Sequence, residues 1–301
     1  MIIEKINSNC DNLELEIAIK EPKEKPKAIV QISHGMSEHK ERYFDFMNYL
    51  ADNGYICVIH DHRGHGKSVK NEKDLGYFYS EDINYIVDDL YQVTEYIKKK
   101  YENLEIVLFS HSMGTLVARN YLKKHDNEIS KIILCGPPTE NNLAGFGILL
   151  AKILKPFYGK NTPNTFLNKI TFKNYNKNNK KNNEWISYNN ENVEKYNNDE
   201  LCGYIFTTNG FINLYKLMKQ AFNAKNWNVQ NKNLQFFIIA GKKDPVIQSE
   251  EKFFELVNFI KKLGYKYVTF KLYNGMRHEL LNEKDNKNVY KDILSFIKGE
   301  L

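Results

Sequence analysis

The sequence predicts an α/β fold: a mostly parallel central sheet with helices on both faces, interrupted by an inserted, mostly helical cap. Three observations predict it. Short apolar runs alternate with helical spacings along much of the chain. That rhythm stops between about 137 and 232 and resumes at Leu234. One apolar run also passes through a turn of small residues, Ser110 to Gly114, straight into a helical pattern.

Taken in order, residues 11–20 alternate apolar and polar (Leu13, Leu15, Ile17, Ile19), as a half-buried strand does. Pro22 and Pro26 bracket a turn. Strand-like runs follow at Ala28 to Ser33, Tyr55 to Ile59, Leu104 to Phe109, Lys131 to Cys135, Leu234 to Ala240 and Lys266 to Tyr273. Helical spacing covers 41–52, 82–100, 114–124, 249–263 and 288–298. The domain reading is a core of residues 1–136 and 233–301 with a cap subdomain of residues 137–232. The Asn/Lys run from Lys173 to Asn183 reads as a solvated loop within that cap.

The chain has 301 residues, 42% hydrophobic and 27% charged, an ordinary globular composition. A chain of this length buries roughly 75% of the surface it exposes when unfolded, so it needs no disulfides. Its four cysteines (10, 57, 135 and 202) contain no C-x-x-C pair, the spacing that marks a structural zinc site. Cys57 and Cys135 sit in apolar runs as small hydrophobes, which suits a reducing compartment. The N-terminus lacks a basic region followed by an apolar one, and no apolar stretch reaches the roughly 18 residues of a membrane span. A cytoplasmic protein is expected. The net charge of +6 comes from scattered lysines, without the compact basic and aromatic cluster that nucleic-acid binding requires.

The chemistry is carried by residues 104–124, LEIVLFSHSMGTLVARNYLKK. Strand, sharp turn, serine and helix are the context of a G-x-S-x-G nucleophile elbow, with Ser112 as the nucleophile. The turn needs small residues two before and two after, here Ser110 and Gly114, so serine replaces the usual first glycine. In folds built on this elbow the order is Ser, acid, His. Of eight histidines, only His278 lies well beyond Ser112, in the loop after the last apolar strand. Asp244 follows the strand Leu234 to Ala240 and is the candidate acid, which would hold the His278 tautomer. It also reads as an Asp-Pro turn residue. Two backbone N–H donors are needed for an oxyanion: Met113, after the nucleophile, and Met36, in the loop after Ile29 to Ser33. His34 is expected to brace that loop. A rival motif, His60-Asp-His62-Arg-Gly-His65, approaches an H-x-H-x-D-H metal cluster but has Gly64 where the aspartate belongs.

The segments HGMSEHKERYFDFMNYLADNGYICVIHDHRGHGKS and SHSMG resemble the monoacylglycerol lipase and lysophospholipase branch of the α/β-hydrolase fold, which overlaps the serine aminopeptidase family. The resemblance runs from about residue 10 to the C-terminus. In the cap, EWISYNNENVEKYNNDELCGYIFT is similar to bacterial members. The family implies Ser112, Asp244 and His278 as catalytic triad, Met36 and Met113 as oxyanion donors, DHRGHGKS as a structural loop, and no metal or organic cofactor. The expected reaction is two-step acyl transfer on a small-molecule lipid or ester substrate. The apolar stretch Leu143 to Tyr158 would line an acyl tunnel, make transient contact with a membrane surface, or simply pack the cap on the core. A short-chain carboxylesterase, a peptidase, and an inactive fold that only binds a ligand are the alternatives. The peptidase is disfavoured because no acidic site for a substrate amine stands out.

Overall fold

A computed structural model describes residues 1–173, 175 and 182–301. Most of the predicted solvated loop from Lys173 to Asn183 lies outside the described residues. Among these, eight strands form one sheet: β1 (Ile2–Asn7), β2 (Glu14–Lys20), β3 (Ala28–Ser33), β4 (Tyr55–His60), β5 (Ile106–His111), β6 (Lys131–Cys135), β7 (Gln235–Gly241) and β8 (Tyr267–Tyr273). The order across it is β1-β2-β4-β3-β5-β6-β7-β8. β1 and β2 are antiparallel to their neighbours, and every other pairing is parallel. β1 was not expected from the sequence. It is an edge strand with Ile2 and Ile3 exposed, so it lacks the buried face that marks a strand.

β4, β5 and β6 are buried along their whole length, which is why they read as continuous apolar runs. Their side chains alternate between two cores. Ile56, Ile106, Leu108, Phe236 and Ile238 face one, and Cys57, Val107, Phe109, Phe237 and Ile239 face the other. After β3 and a short 3-10 turn, α1 (Phe44–Asp52) packs on the second core, while α2 (Asn84–Lys100) and α3 (Met113–His125) pack on the first.

Between β6 and β7 the chain leaves the sheet and forms α4 (Ala144–Leu154), α5 (Thr165–Thr171), α6 (Asn190–Asn198) and α7 (Thr208–Ala221). α7 lies on α3 and carries α4 on top of it. The Tyr215 ring fills the space beside Gly147. The chain then closes with α8 (Glu250–Lys262) on the first core and α9 (Asn286–Lys298) on the second. The helices of 82–100, 114–124, 249–263 and 288–298 thus stand within two residues of their expected ends, whereas 41–52 splits into the 3-10 turn Lys40–Tyr43 and α1. Among the described residues, no helix is long and apolar enough to cross a membrane.

Candidate active site

β5 runs two residues further than the sequence suggested, to His111, so Ser112 is the first residue beyond the strand and the cap of α3. Its backbone is left-handed, φ 49° and ψ −120°. A non-glycine residue in this region costs of order 1–3 kcal/mol, and such strain persists only where neighbours over-determine it. They do so here. Ser112 N–H donates to the Cys135 carbonyl of the adjacent strand end (3.0 Å), and Thr115 N–H and Oγ1 both bond the Ser112 carbonyl. Gly114 is required by space, because a Cβ there would lie 2.2 Å from the Ser33 carbonyl oxygen. Ser110, in place of glycine, is fully buried and donates its hydroxyl to the Ile133 carbonyl at 2.9 Å. The elbow therefore accepts a serine because β6 offers an acceptor.

The loop after β3 runs against the elbow, since a Cβ on Gly35 would approach the Ser112 Cβ to 3.2 Å. Gly35, Met36, Ser112, Met113 and His278 all line one cavity of about 170 Å³. Met113 and Gly114 occupy the first turn of α3, where a helix has no internal acceptor for its N–H groups.

His34 ties this loop down. Its Nδ1 bonds the Gly35 carbonyl at 2.8 Å and its Nε2 accepts the His62 N–H at 2.9 Å. Burial pushes its pKa down to about 3, so the ring stays neutral. The His62 and His65 rings meet its ring tilted or edge-on, His60 meets His62 edge-on, and among the described residues they form no ligand cluster.

The loops after β7 and β8 are stitched together by Lys242 N–H to the Tyr273 carbonyl (2.9 Å) and Lys243 N–H to the Met276 carbonyl (3.0 Å). This joins Asp244 and His278: His278 Nδ1 lies 2.8 Å from Asp244 Oδ2. The other carboxylate oxygen accepts the Val246 N–H at 2.8 Å, so the Asp-Pro turn fixes the same carboxylate that meets the histidine. Both side chains are buried. Burial alone would lower the His278 pKa, but the Asp244 carboxylate outweighs it and raises it. Beside them His111 is kept neutral, its pKa pushed down to about 4 by burial and by His278. Trp185, from the segment between α5 and α6, lies against the His278 ring at 5.2 Å.

A charged network that the sequence reading missed holds these loops. Arg42 forks onto both Glu279 oxygens at 2.6 and 2.7 Å, bonds Glu38 at 2.8 Å and reaches Asn192 of α6 at 3.1 Å. Glu38 in turn accepts the Gly35 N–H and the Tyr43 hydroxyl. One guanidinium thus ties the loop bearing Met36, the residue next to His278, and a helix between β6 and β7. The one legible signal was the Glu38–Arg42 spacing of four; Glu279 is distant in sequence and shows nothing.

A family model described as serine aminopeptidase, S33, matches residues 24–285. The chain is 27% identical to a monoglyceride lipase homolog of Monkeypox virus, over 96% of both chains. It is 24% identical to a monoacylglycerol lipase of Mycolicibacterium smegmatis, over 93% of this chain and 91% of that one. Among solved structures, a thermostable carboxyl esterase from Bacillus coagulans superposes with a TM-score of 0.88 at 26% identity, covering 99% of this chain and 98% of the other. The strand order, the strained serine at the end of β5 and the family match over most of the chain lead to one conclusion: this protein belongs to the serine aminopeptidase S33 family of α/β-hydrolases.

Proposed function

We propose that the protein hydrolyses carboxylic esters of lipid-like substrates, monoacylglycerols or lysophospholipids, through an acyl-enzyme on Ser112. The observation that carries this reading is the buried Asp244–His278 pair, 2.8 Å apart, whose histidine shares a cavity with a serine at φ 49°. His278 Nε2 takes the Ser112 proton, Oγ attacks the ester carbonyl, and the Met36 and Met113 N–H groups receive the oxyanion. The alcohol leaves with the proton from His278. Water, deprotonated by the same histidine, then releases the acid.

Residues 137–232 act as a cap in this reading. Pro138, Trp185, Leu214 and Met218 from this segment line the cavity together with Val246 of the loop after β7. Helix α4 buries Ala144 and Ala151 but leaves Phe146, Leu149 and Ile153 exposed on its outer face, with Leu143 and Phe157 beyond its ends. An outward apolar face suits contact with a lipid surface from which substrate enters. A short-chain carboxylesterase is the second reading. The cavity of about 170 Å³ favours it, because pockets for larger ligands run to roughly 300–1,000 Å³.

A fluorophosphonate probe followed by mass spectrometry tests the chemistry, with Ser112→Ala as control. Adduct on Ser112 alone supports an activated serine. No adduct in folded protein overturns the reading in favour of a binding protein. A chain-length series of monoacylglycerols, lysophospholipids and simple esters then separates the two substrate classes.

A further inference from the structure

Three side chains of metal-ligating type meet away from Ser112, where the chain after α6 touches the loop after β3. His39 precedes the 3-10 turn into α1, and Asp199 and Cys202 follow α6. His39 Nε2 lies 2.9 Å from Asp199 Oδ2, and candidate ligand atoms of all three residues lie within 4.8 Å of one another. No other group of three such residues comes together this way among the described residues. His39 and Cys202 are buried, at 4% and 8% exposure. The second ring nitrogen, His39 Nδ1, is also buried and has no hydrogen-bond partner among the described residues.

The surrounding backbone holds the three in place. Leu201 N–H bonds Asp199 Oδ1 at 2.8 Å, Cys202 N–H bonds the Asp199 carbonyl at 3.0 Å, and Gly203 N–H bonds the Ser37 carbonyl at 2.9 Å. His39 and Asp199 border a groove of about 810 Å³ that is also lined by Glu41, Asp45, Glu191 and Glu194. Its cations, Arg42 and Lys195, are each paired with a carboxylate, so the groove presents a field that draws cations inward.

We propose that His39, Asp199 and Cys202 bind a zinc-class divalent cation that clips the turn after α6 to the loop carrying Met36. A thiolate and a carboxylate neutralise a dication, and a neutral imidazole is the third ligand, a donor set of the zinc kind. Magnesium and calcium want six or more oxygens, which this cluster does not offer. In tetrahedral zinc sites the ligand atoms sit roughly 3.3–3.8 Å apart, so the present arrangement needs side-chain rotations of about an ångström. On binding, the Cys202 Sγ–H bond breaks, an Sγ–metal bond forms, and that proton leaves to solvent; the His39 ring proton passes from Nε2, which faces Asp199, to Nδ1, so that Nε2 can take the metal, and nothing is oxidised or reduced. The His39–Asp199 hydrogen bond is exchanged for two metal bonds. This site is independent of ester hydrolysis and stands or falls separately from it.

The test uses the full chain, stripped with a chelator and titrated with Zn²⁺ against a chromogenic competitor. One bound ion per chain is expected, and Co²⁺ in its place should give a thiolate-to-cobalt charge-transfer band. Cys202→Ser should abolish that band, while Cys10→Ser keeps it. Asp199→Asn should retain the band with affinity weakened about tenfold or more, since losing even an outer-shell partner of a metal ligand costs about 10- to 100-fold. Zn²⁺ should raise the melting temperature of the wild type and leave that of Cys202→Ser unchanged. Absence of stoichiometric Zn²⁺ at micromolar free concentration, or a cobalt band surviving in Cys202→Ser, overturns the proposal. If Cys202→Ser does not fold, an unchanged Zn²⁺ affinity in Asp199→Asn overturns it equally.

Discussion

Replacing Arg42 by methionine keeps an apolar stem and deletes the guanidinium that faces Glu38 and Glu279. Both carboxylates are nearly inaccessible, at 3% and 5% exposure, so water cannot substitute for the lost cation. Removing one partner of a buried ion pair costs about 3–5 kcal/mol. The direction of the Glu279 pKa agrees with this. Burial would raise its pKa, but Arg42 overrides burial and holds it down to about 2. The sign follows from the lowered folded pKa. The stabilisation is complete above about pH 4.3, the unfolded value, and is lost as pH falls through about 2. Without Arg42 only burial remains, so the Glu279 pKa rises above its unfolded value. The penalty is then greatest near neutral pH and shrinks as acid protonates the carboxyl. Urea unfolding at pH 7.5 and pH 5 should show this, with the difference between wild type and variant smaller at pH 5. In a heating scan the neutral-pH loss corresponds to a fall of about 5–8 °C in Tm. Turnover should fall as well, because Glu38 fixes the Gly35–Met36 loop and Glu279 adjoins His278. An Arg42→Met protein within about 0.5 kcal/mol of wild type at pH 7.5, the range of ordinary surface substitutions, would refute the reasoning.

Other outcomes follow from the same geometry. Because Asp244 raises the His278 pKa, and the base we propose must be neutral to act, kcat/KM should climb as pH rises through that raised value. Asp244→Asn should move this limb to lower pH and cut kcat by about 10⁴-fold; an unmoved limb would mean a different group titrates. Gly114→Ala places a methyl group 2.2 Å from the Ser33 carbonyl oxygen, and overpacking of this kind costs about 1–3 kcal/mol. Its unfolding midpoint should drop and probe labelling of Ser112 should weaken; a variant with both intact would show that α3 can shift freely. On α4, Phe146→Ser with Leu149→Ser should reduce binding to phospholipid vesicles in a flotation assay. Hydrolysis of a soluble short-chain ester and the Tm should stay unchanged, since both side chains point to solvent; equal vesicle binding by variant and wild type would remove the membrane-contact role.

The parallel sheet was legible because its central strands are buried on both faces, so Tyr55 to Ile59 and Lys131 to Cys135 read as unbroken apolar runs. The elbow was legible because its parts are contiguous: strand, small residue, serine, small residue, helix. Asp244 and His278 could be picked out by chain order, each following a strand, although 34 residues separate them. β1 was illegible because an exposed edge strand has no core-facing pattern to display.

Tertiary structure alone decided the contacts between distant segments. Sequence spacing could not say that Ser110 would find the Ile133 carbonyl. Nor could it say that Arg42 would join Glu279 across 237 residues, or that His39 would meet Asp199 across 160. Local pattern specifies an element through the periodic burial of its own residues. A side-chain network depends on which loop ends the sheet order places side by side, and that order is a property of the folded chain.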